Sequence, residues 1–187
     1  MVIPEPQTRQ RTVAEFLAYI ALPENADTAF EFINGEIVEV PSNPYSSYIA
    51  GRILQRVGNF VEAHNLGYVT GEAGGYTIWG SERYAPDVAY ISKDKGITKD
   101  WFNPLPPDLA VEVDFPSTTV SQSRLRQKLF FYLNAGVVVW LVFPESKTVE
   151  IYIPGQEMKL LHVSDVIDGG ALLPGFTLPV AEIFTQA

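Results

Sequence analysis

The stretch "DLAVEVDFP", residues 108–116, has the apolar character of a buried strand, yet Glu112 and Asp114 interrupt it. Side chains in a strand alternate faces, so Asp108, Ala110, Glu112 and Asp114 share one face while Leu109, Val111, Val113 and Phe115 take the other. Carboxylates buried side by side are costly unless something cationic neutralises them. This strand therefore calls for a positive charge beside its acids.

Downstream, "STTVSQSRLRQKLFFYLNAG" (117–136) reads as a helix opened by Ser/Thr and closed by Gly136, and "VVVWLVFP" (137–144) as a central apolar strand. A strand–helix–strand unit over 109–143 implies a parallel pair with a right-handed crossover. "TVEIYIP" (148–154) alternates and makes a hairpin partner, and the tail "ALLPGFTLPVAEIF" is expected to pack across the outside. Upstream, "RYAPDVAYIS" (83–92) is a strand with Pro86 near its start, and "GYVTGEAGGYTIWG" (67–80) is glycine-punctuated β structure. The stretch 45–67 reads as an amphipathic helix ending at Gly67. "AFEFINGEIVEV" (29–40) is a hairpin turning at Asn34-Gly35. "TVAEFLAYIAL" (12–22) is a helix capped by Thr12, and residues 1–10 are expected to form a loose arm. The order helix, about three strands, helix, strand specifies one α/β domain spanning 1–187 around a mixed sheet.

Composition narrows the function classes. The chain has 187 residues, 47% of them hydrophobic, and no cysteine, which excludes disulfides, thiolate zinc sites and cysteine nucleophiles. No apolar run approaches the roughly 20 residues that span a bilayer, and "MVIPEPQTRQRT" has no signal-peptide core, so no membrane role and a cytoplasmic location are expected. The net charge of −9 argues against non-specific coating of nucleic acid, which Lys and Arg drive, though a local basic surface beside an acidic site is compatible with it.

Asp87 begins one strand and Glu112 lies in the next strong one, so neighbouring strands would bring both carboxylates to one end of the sheet. Mg2+ and Mn2+ favour hard oxygen ligands and retain waters, so two carboxylates plus the Val113 carbonyl make an open site. Lys128, in the following helix, is placed to reach back toward these acids; Arg124 and Tyr132 share its face at four-residue spacing. Plainer readings exist for each residue. Pro-Asp is common turn chemistry, a lone helical Lys is usually solvated, and an edge strand with a wet face would accommodate Glu112. The ordered set is more specific than any member.

The pattern "PDVAYIS"…"PDLAVEVDFPST"…"RLRQKLFFYLNAGVVVWLVFPESKTVEIYIPG"…"LLPGFTLPVAEIF" resembles a large bacterial family of restriction-endonuclease-like proteins within the PD-(D/E)XK nuclease superfamily. The resemblance runs from "FEFINGEIVEV" to the C-terminus. It implies a restriction-endonuclease-like αβββαβ core, a mixed β-sheet flanked by helices, preceded here by the N-terminal helix and hairpin. It also implies Mg2+ or Mn2+ on Asp87 and Glu112, with Glu31 near the same site, and DNA as substrate. A homodimer would suit cleavage of two strands by two subunits.

Two departures stand out. The superfamily motif puts Lys two residues after the acid, where this chain has Asp114, and the helical Lys128 matches the branch in which that lysine has moved. Asp114 either adds a metal ligand or marks a weakened site; the family's usual Leu-Ser-Pro also reads Asp114-Phe115-Pro116 here. In the long helix many members begin with His, whereas this chain has Ser46-Ser47-Tyr48.

Other residues rank lower. His64 near a helix end favours the helix C-terminus and solvent, and His162 sits in a polar stretch. Arg52 and Arg56 read as a solvated face, and Gly71, Gly74 and Gly75 as strand bending. Lys93, Lys95 and Lys99 in the 93–107 loop, with Trp101 as a stacking surface, and Arg124 on its helix are the nucleic-acid candidates. Two functions follow: a metal-dependent DNA endonuclease using Asp87, Glu112, Lys128 and Glu31, or a nuclease-like module that binds or regulates without cutting.

Overall fold

The computed structural model describes residues 10–40, 43–114 and 119–184. In chain order its elements are helix α1 (Val13–Ile20), strands β1 (Phe30–Ile33) and β2 (Glu36–Glu39), and helix α2 (Pro44–Ala63). Strands β3 (Gly67–Gly71), β4 (Gly75–Thr77), β5 (Arg83–Tyr84), β6 (Val88–Ser92), β7 (Phe102–Asn103) and β8 (Leu109–Val113) follow. Helix α3 (Thr119–Asn134) leads to β9 (Val138–Phe143), β10 (Thr148–Tyr152), β11 (Lys159–Leu161), β12 (Val166–Asp168), β13 (Thr177–Pro179) and helix α4 (Val180–Phe184). The proposed arm lies mostly outside the described residues, as does the Ser117-Thr118 opening of α3.

A six-stranded sheet runs β11-β10-β9-β8-β6-β3. Within it β8 and β9 are parallel, as the crossover through α3 requires, and β8–β6 and β6–β3 are antiparallel. The succession α2, β3, β6, β8, α3, β9 is the αβββαβ core. One face carries Val88, Leu109, Val111, Trp140 and Val142 against Ile49, Ile53 and Val57 of α2 and against Phe176, Ile183 and Phe184 of the tail. The tail therefore does close the outside, held by Arg52, whose Nε donates to the Glu182 carbonyl at 2.7 Å, and by Arg56 paired with Glu182.

The opposite face, with Ala89, Ala110, Val139 and Leu141, is covered by Leu125, Leu129 and Tyr132 of α3 and by a second sheet. That sheet, β2-β1-β5-β4-β7, was not separable in sequence, because three of its strands are two or three residues long. It is built on the Asn34-Gly35 turn, both residues at positive φ, and Phe16 and Ile20 of α1 pack on Phe32 at its back. The expected 83–92 strand is two strands in different sheets: the chain leaves β5, crosses at Ala85-Pro86-Asp87, and enters β6. The long helix stops at Ala63, where Asn65 takes positive φ. Gly67 instead begins β3, where a Cβ would lie 2.2 Å from the Ile91 carbonyl oxygen.

Trp140 sits at the centre of the α2-facing core, its ring stacked on Phe176 at 6.1 Å. Trp140→Ala is expected to cost about 3–5 kcal/mol through the cavity it leaves. Urea denaturation checks this, and an unchanged midpoint would contradict the packing described.

Candidate active site

β6 and β8 pair with Val88 opposite Val111 and Ala89 opposite Ala110, so one step outward Asp87 faces Glu112. Directly opposed residues of an antiparallel pair project to the same face, here the face between the two sheets. Asp87 is half-buried, and its Oδ2 accepts the Val113 N–H at 2.6 Å. A strand residue's N–H and C=O point to the same neighbour, so the Val113 carbonyl is turned to this edge as well. The next amide, Asp114, donates the other way, to the Val142 carbonyl at 2.9 Å.

Glu112 is 8% exposed, Lys128 7% and Glu31 4%. The Lys128 ammonium lies 2.8 and 2.9 Å from the two Glu112 oxygens and 2.8 Å from Glu31 Oε1. Glu31 Oε1 also accepts the Ala85 N–H at 2.8 Å, and the Tyr132 hydroxyl donates to Glu112 Oε1 at 2.8 Å. Strand alternation puts Glu31 on the inward face of β1 with Ile33, and four-residue spacing on α3 stacks Lys128 over Tyr132. The charge called for beside Glu112 is thus delivered from the helix.

A second layer escaped sequence reasoning. Glu82 is buried; it accepts the Tyr84 hydroxyl at 2.6 Å and the Asn34 N–H at 3.0 and 3.1 Å, tying the hairpin turn to β5. The Tyr84 ring lies edge-on to Tyr132 and 5.4 Å from the Lys128 ammonium. Only its single-residue alternation with Tyr84 could have flagged Glu82, and β5 is too short for alternation to be read.

Three other expectations are placed elsewhere. Asp114 lines a separate depression with Arg126, Phe143 and Glu150, and its Oδ2 is buried without a hydrogen-bond partner. Lys95 is paired with Asp108 at 2.8 Å, and Lys93 donates to Asn65. Both stand at the far end of the β6–β8 pair, roughly 15 Å away given the length of β6. Asp108 therefore does not join Glu112: it closes that far end, also accepting the Ser92 N–H at 2.7 Å. Arg124 is half-buried, one turn from Lys128, and lies 3.5 Å from Glu36. His64 caps α2, hydrogen-bonded to the Phe60 carbonyl.

Three carboxylates thus share one ammonium. Burial opposes the Lys128 charge, but Glu112 and Glu31 outweigh it and hold its pKa above the usual lysine value. Burial drives Glu112 up to about 7, against the pull of Lys128 and with the push of Glu31 and Asp87. Burial also drives Asp87 up to about 6, with the Val113 N–H and Lys128 opposing and Glu31 and Glu72 adding to it. The site is short of positive charge, and its donors are hard oxygens, which fits a divalent cation such as Mg2+ or Mn2+. Among the described residues no three acidic or imidazole side chains converge closely enough to hold an ion unaided. Asp87, Glu112 and the Val113 carbonyl would hold it, with water completing the shell.

These shifts set a pH dependence. Both carboxyls have folded pKa values above the ordinary 3.8 and 4.5, so the folded state keeps protons that the unfolded chain releases. Their contribution to stability is complete below about pH 4 and is lost as pH rises through 6 to 7. The Tm of metal-free protein should fall between pH 5 and 8, and Glu112→Gln should flatten that fall. An equal slope in the variant would refute the assignment.

The comparisons with known proteins agree with this fold. The family model described as "Putative restriction endonuclease" (Uma2) matches residues 13–181. Among solved structures the chain is similar to one described as a putative nuclease belonging to DUF820 from Anabaena variabilis ATCC 29413. The TM-score is 0.79 at 22% identity, over 92% of this chain and 97% of that one. No curated protein matches. No helix among the described residues is long and apolar enough to cross a membrane. With a match over nearly its whole length, the chain belongs to the Uma2 family, and its fold is that of a restriction-endonuclease-like nuclease.

Proposed function

We propose that this chain is a metal-dependent endonuclease that hydrolyses DNA phosphodiester bonds at the Asp87–Glu112 edge. The observation that carries the reading is the Lys128 ammonium seated on Glu112 and Glu31. Asp114 occupies the motif's lysine position, and the helix supplies that charge at the required acid. A bound Mg2+ or Mn2+ would lower the pKa of a coordinated water and neutralise charge on the phosphoryl group.

The chain's own residues do the rest. Asp87 is the most accessible of these acids, with its Oδ2 aligned by the Val113 N–H. Tyr132 and Lys128 fix the Glu112 carboxylate from two sides, so its orientation is set before any ligand arrives. An ammonium carries three donors. Its nearest acceptors are the two Glu112 oxygens and Glu31 Oε1, and its positive charge assists an attacking water or a phosphate oxygen beside them. Arg124, one turn along α3, meets the DNA backbone near the scissile phosphate; Lys93 and Lys95 would touch a duplex only at a distance. Two copies would be needed to cut both strands in one event.

The rival reading, a nuclease-like module that does not cut, draws on Asp114 and the net charge of −9. Incubating the purified protein with plasmid DNA and Mn2+ separates the two. Nicking is expected, and Glu112→Ala and Asp87→Ala should each lower it by roughly a hundredfold or more while the circular dichroism spectrum stays that of a folded protein. Cleavage that survives either substitution would overturn the site assignment. No cleavage by the unaltered chain, alongside Mn2+ binding lost in Asp87→Ala, would favour the rival.

A further inference from the structure

A hollow of about 270 Å³ opens beside the carboxylate edge, lined by Ala29, Phe30, Ala85, Trp101 and Phe102, with Asp27 and Glu72 on its wall. It adjoins the site through Ala85, which lines it and donates its N–H to Glu31. Trp101 stands 63% exposed at its rim. Its position is built: β7 runs parallel to β4, and a Cβ on Gly75 would lie 2.6 Å from the Trp101 carbonyl oxygen and 2.6 Å from the Phe102 ring. Gly75 is what lets the Trp101–Phe102 backbone come this close.

We infer that this hollow is a base-binding subsite, which takes one unpaired nucleobase from a DNA strand whose backbone lies on the Asp87–Glu112 edge. The inference rests on the nuclease reading for that backbone position. The hollow falls just below the roughly 300–1,000 Å³ of pockets that take drug-sized ligands, so it suits a fragment the size of one flat ring system. An aromatic face presented to solvent is the platform on which single-stranded bases stack. The wall carries carboxylates and no cation, so it suits a base edge rather than a phosphate: carboxylates accept from the exocyclic amine of cytosine, whereas thymine offers an acceptor oxygen and a methyl group there. A base can enter only when it is out of the helical stack, which costs least in single strands, bulges and mismatches. The site accordingly favours DNA with unpaired bases next to the cleaved bond.

Fluorescence anisotropy with labelled oligonucleotides tests this, with Ca2+ in place of Mg2+ or Mn2+ to keep a hard cation on the carboxylate edge, and with strand integrity checked on a gel. The unaltered chain should bind a dodecamer of deoxycytidine more tightly than one of thymidine, and either more tightly than a blunt duplex. Trp101→Ala should weaken single-strand binding on the order of tenfold, Trp101→Phe by much less, and neither should alter duplex binding. Glu72→Gln with Asp27→Asn should erase the preference for cytosine. Equal affinity of Trp101→Ala and the unaltered chain for the single strand, or an equal loss on the duplex, would overturn the subsite. Plasmid nicking in Mn2+, run in parallel, separates the two readings. Cleavage with no Trp101 dependence of binding leaves the nuclease and removes the subsite, and Trp101-dependent binding without cleavage does the reverse.

Discussion

The structure turns on one ammonium group. Lys128 of α3 is held between Glu112 of β8 and Glu31 of β1, so one side chain ties the crossover helix, the six-stranded sheet and the hairpin sheet together. Each contributes a face that is otherwise apolar, and the ions meet where those faces converge. Removing charges from water costs several kcal/mol per ion, and a buried cluster rarely returns a net gain over an apolar replacement. Stability therefore does not explain why this one exists. The proposed chemistry would: two acids and a lysine, fixed in advance by Tyr132 and the Ala85 N–H, sit beside a third acid that solvent can reach.

The second constraint is the crossing at Ala85-Pro86-Asp87. In three residues the chain passes from the hairpin sheet into β6. Ala85 anchors Glu31 on one side, and Asp87 anchors Val113 on the other. Proline suits this point because no ladder hydrogen bond is asked of its nitrogen. The crossing brings acids from both sheets to one edge, and it leaves an excess of negative charge that the described side chains do not neutralise. Burial raises the pKa values of Asp87 and Glu112, and the neighbouring carboxylates add to it.

Much of this was legible in the sequence, for identifiable reasons. The β8–α3–β9 unit was readable because its strands are long and apolar and its helix has ordinary start and stop residues. Glu112 was readable because an acid with apolar neighbours on both sides is anomalous, and the four-residue spacing on α3 pointed Lys128 and Tyr132 the same way. Glu31 came from the family resemblance; nothing in the hairpin's own alternation singled it out. The hairpin sheet was not legible, since its strands are too short for periodicity, and Glu82 and Tyr84 were lost with it. Asp114 exposes a limit of alternation: it fixes the face of a strand but not the position along it, and here one step beyond Glu112 leads under α3 toward β10. The lysines of the 93–107 loop were judged by composition alone. Their partners Asp108, Asn65 and the Pro106 carbonyl become visible only when the loop is folded back on the strand ends.

In the proposed site Asp87, Glu112 and the Val113 carbonyl together hold one cation, with Lys128 providing the charge that the strand lacks. The most direct test is a crystal of the protein soaked in Mn2+, with data collected for anomalous scattering from the metal. A peak is expected at the β6–β8 edge, about 2.1 Å from oxygens of Asp87, Glu112 and Val113, with the Lys128 ammonium still on Glu112. No peak at that edge under saturating Mn2+, or a peak on Asp114 in its place, would contradict this assignment.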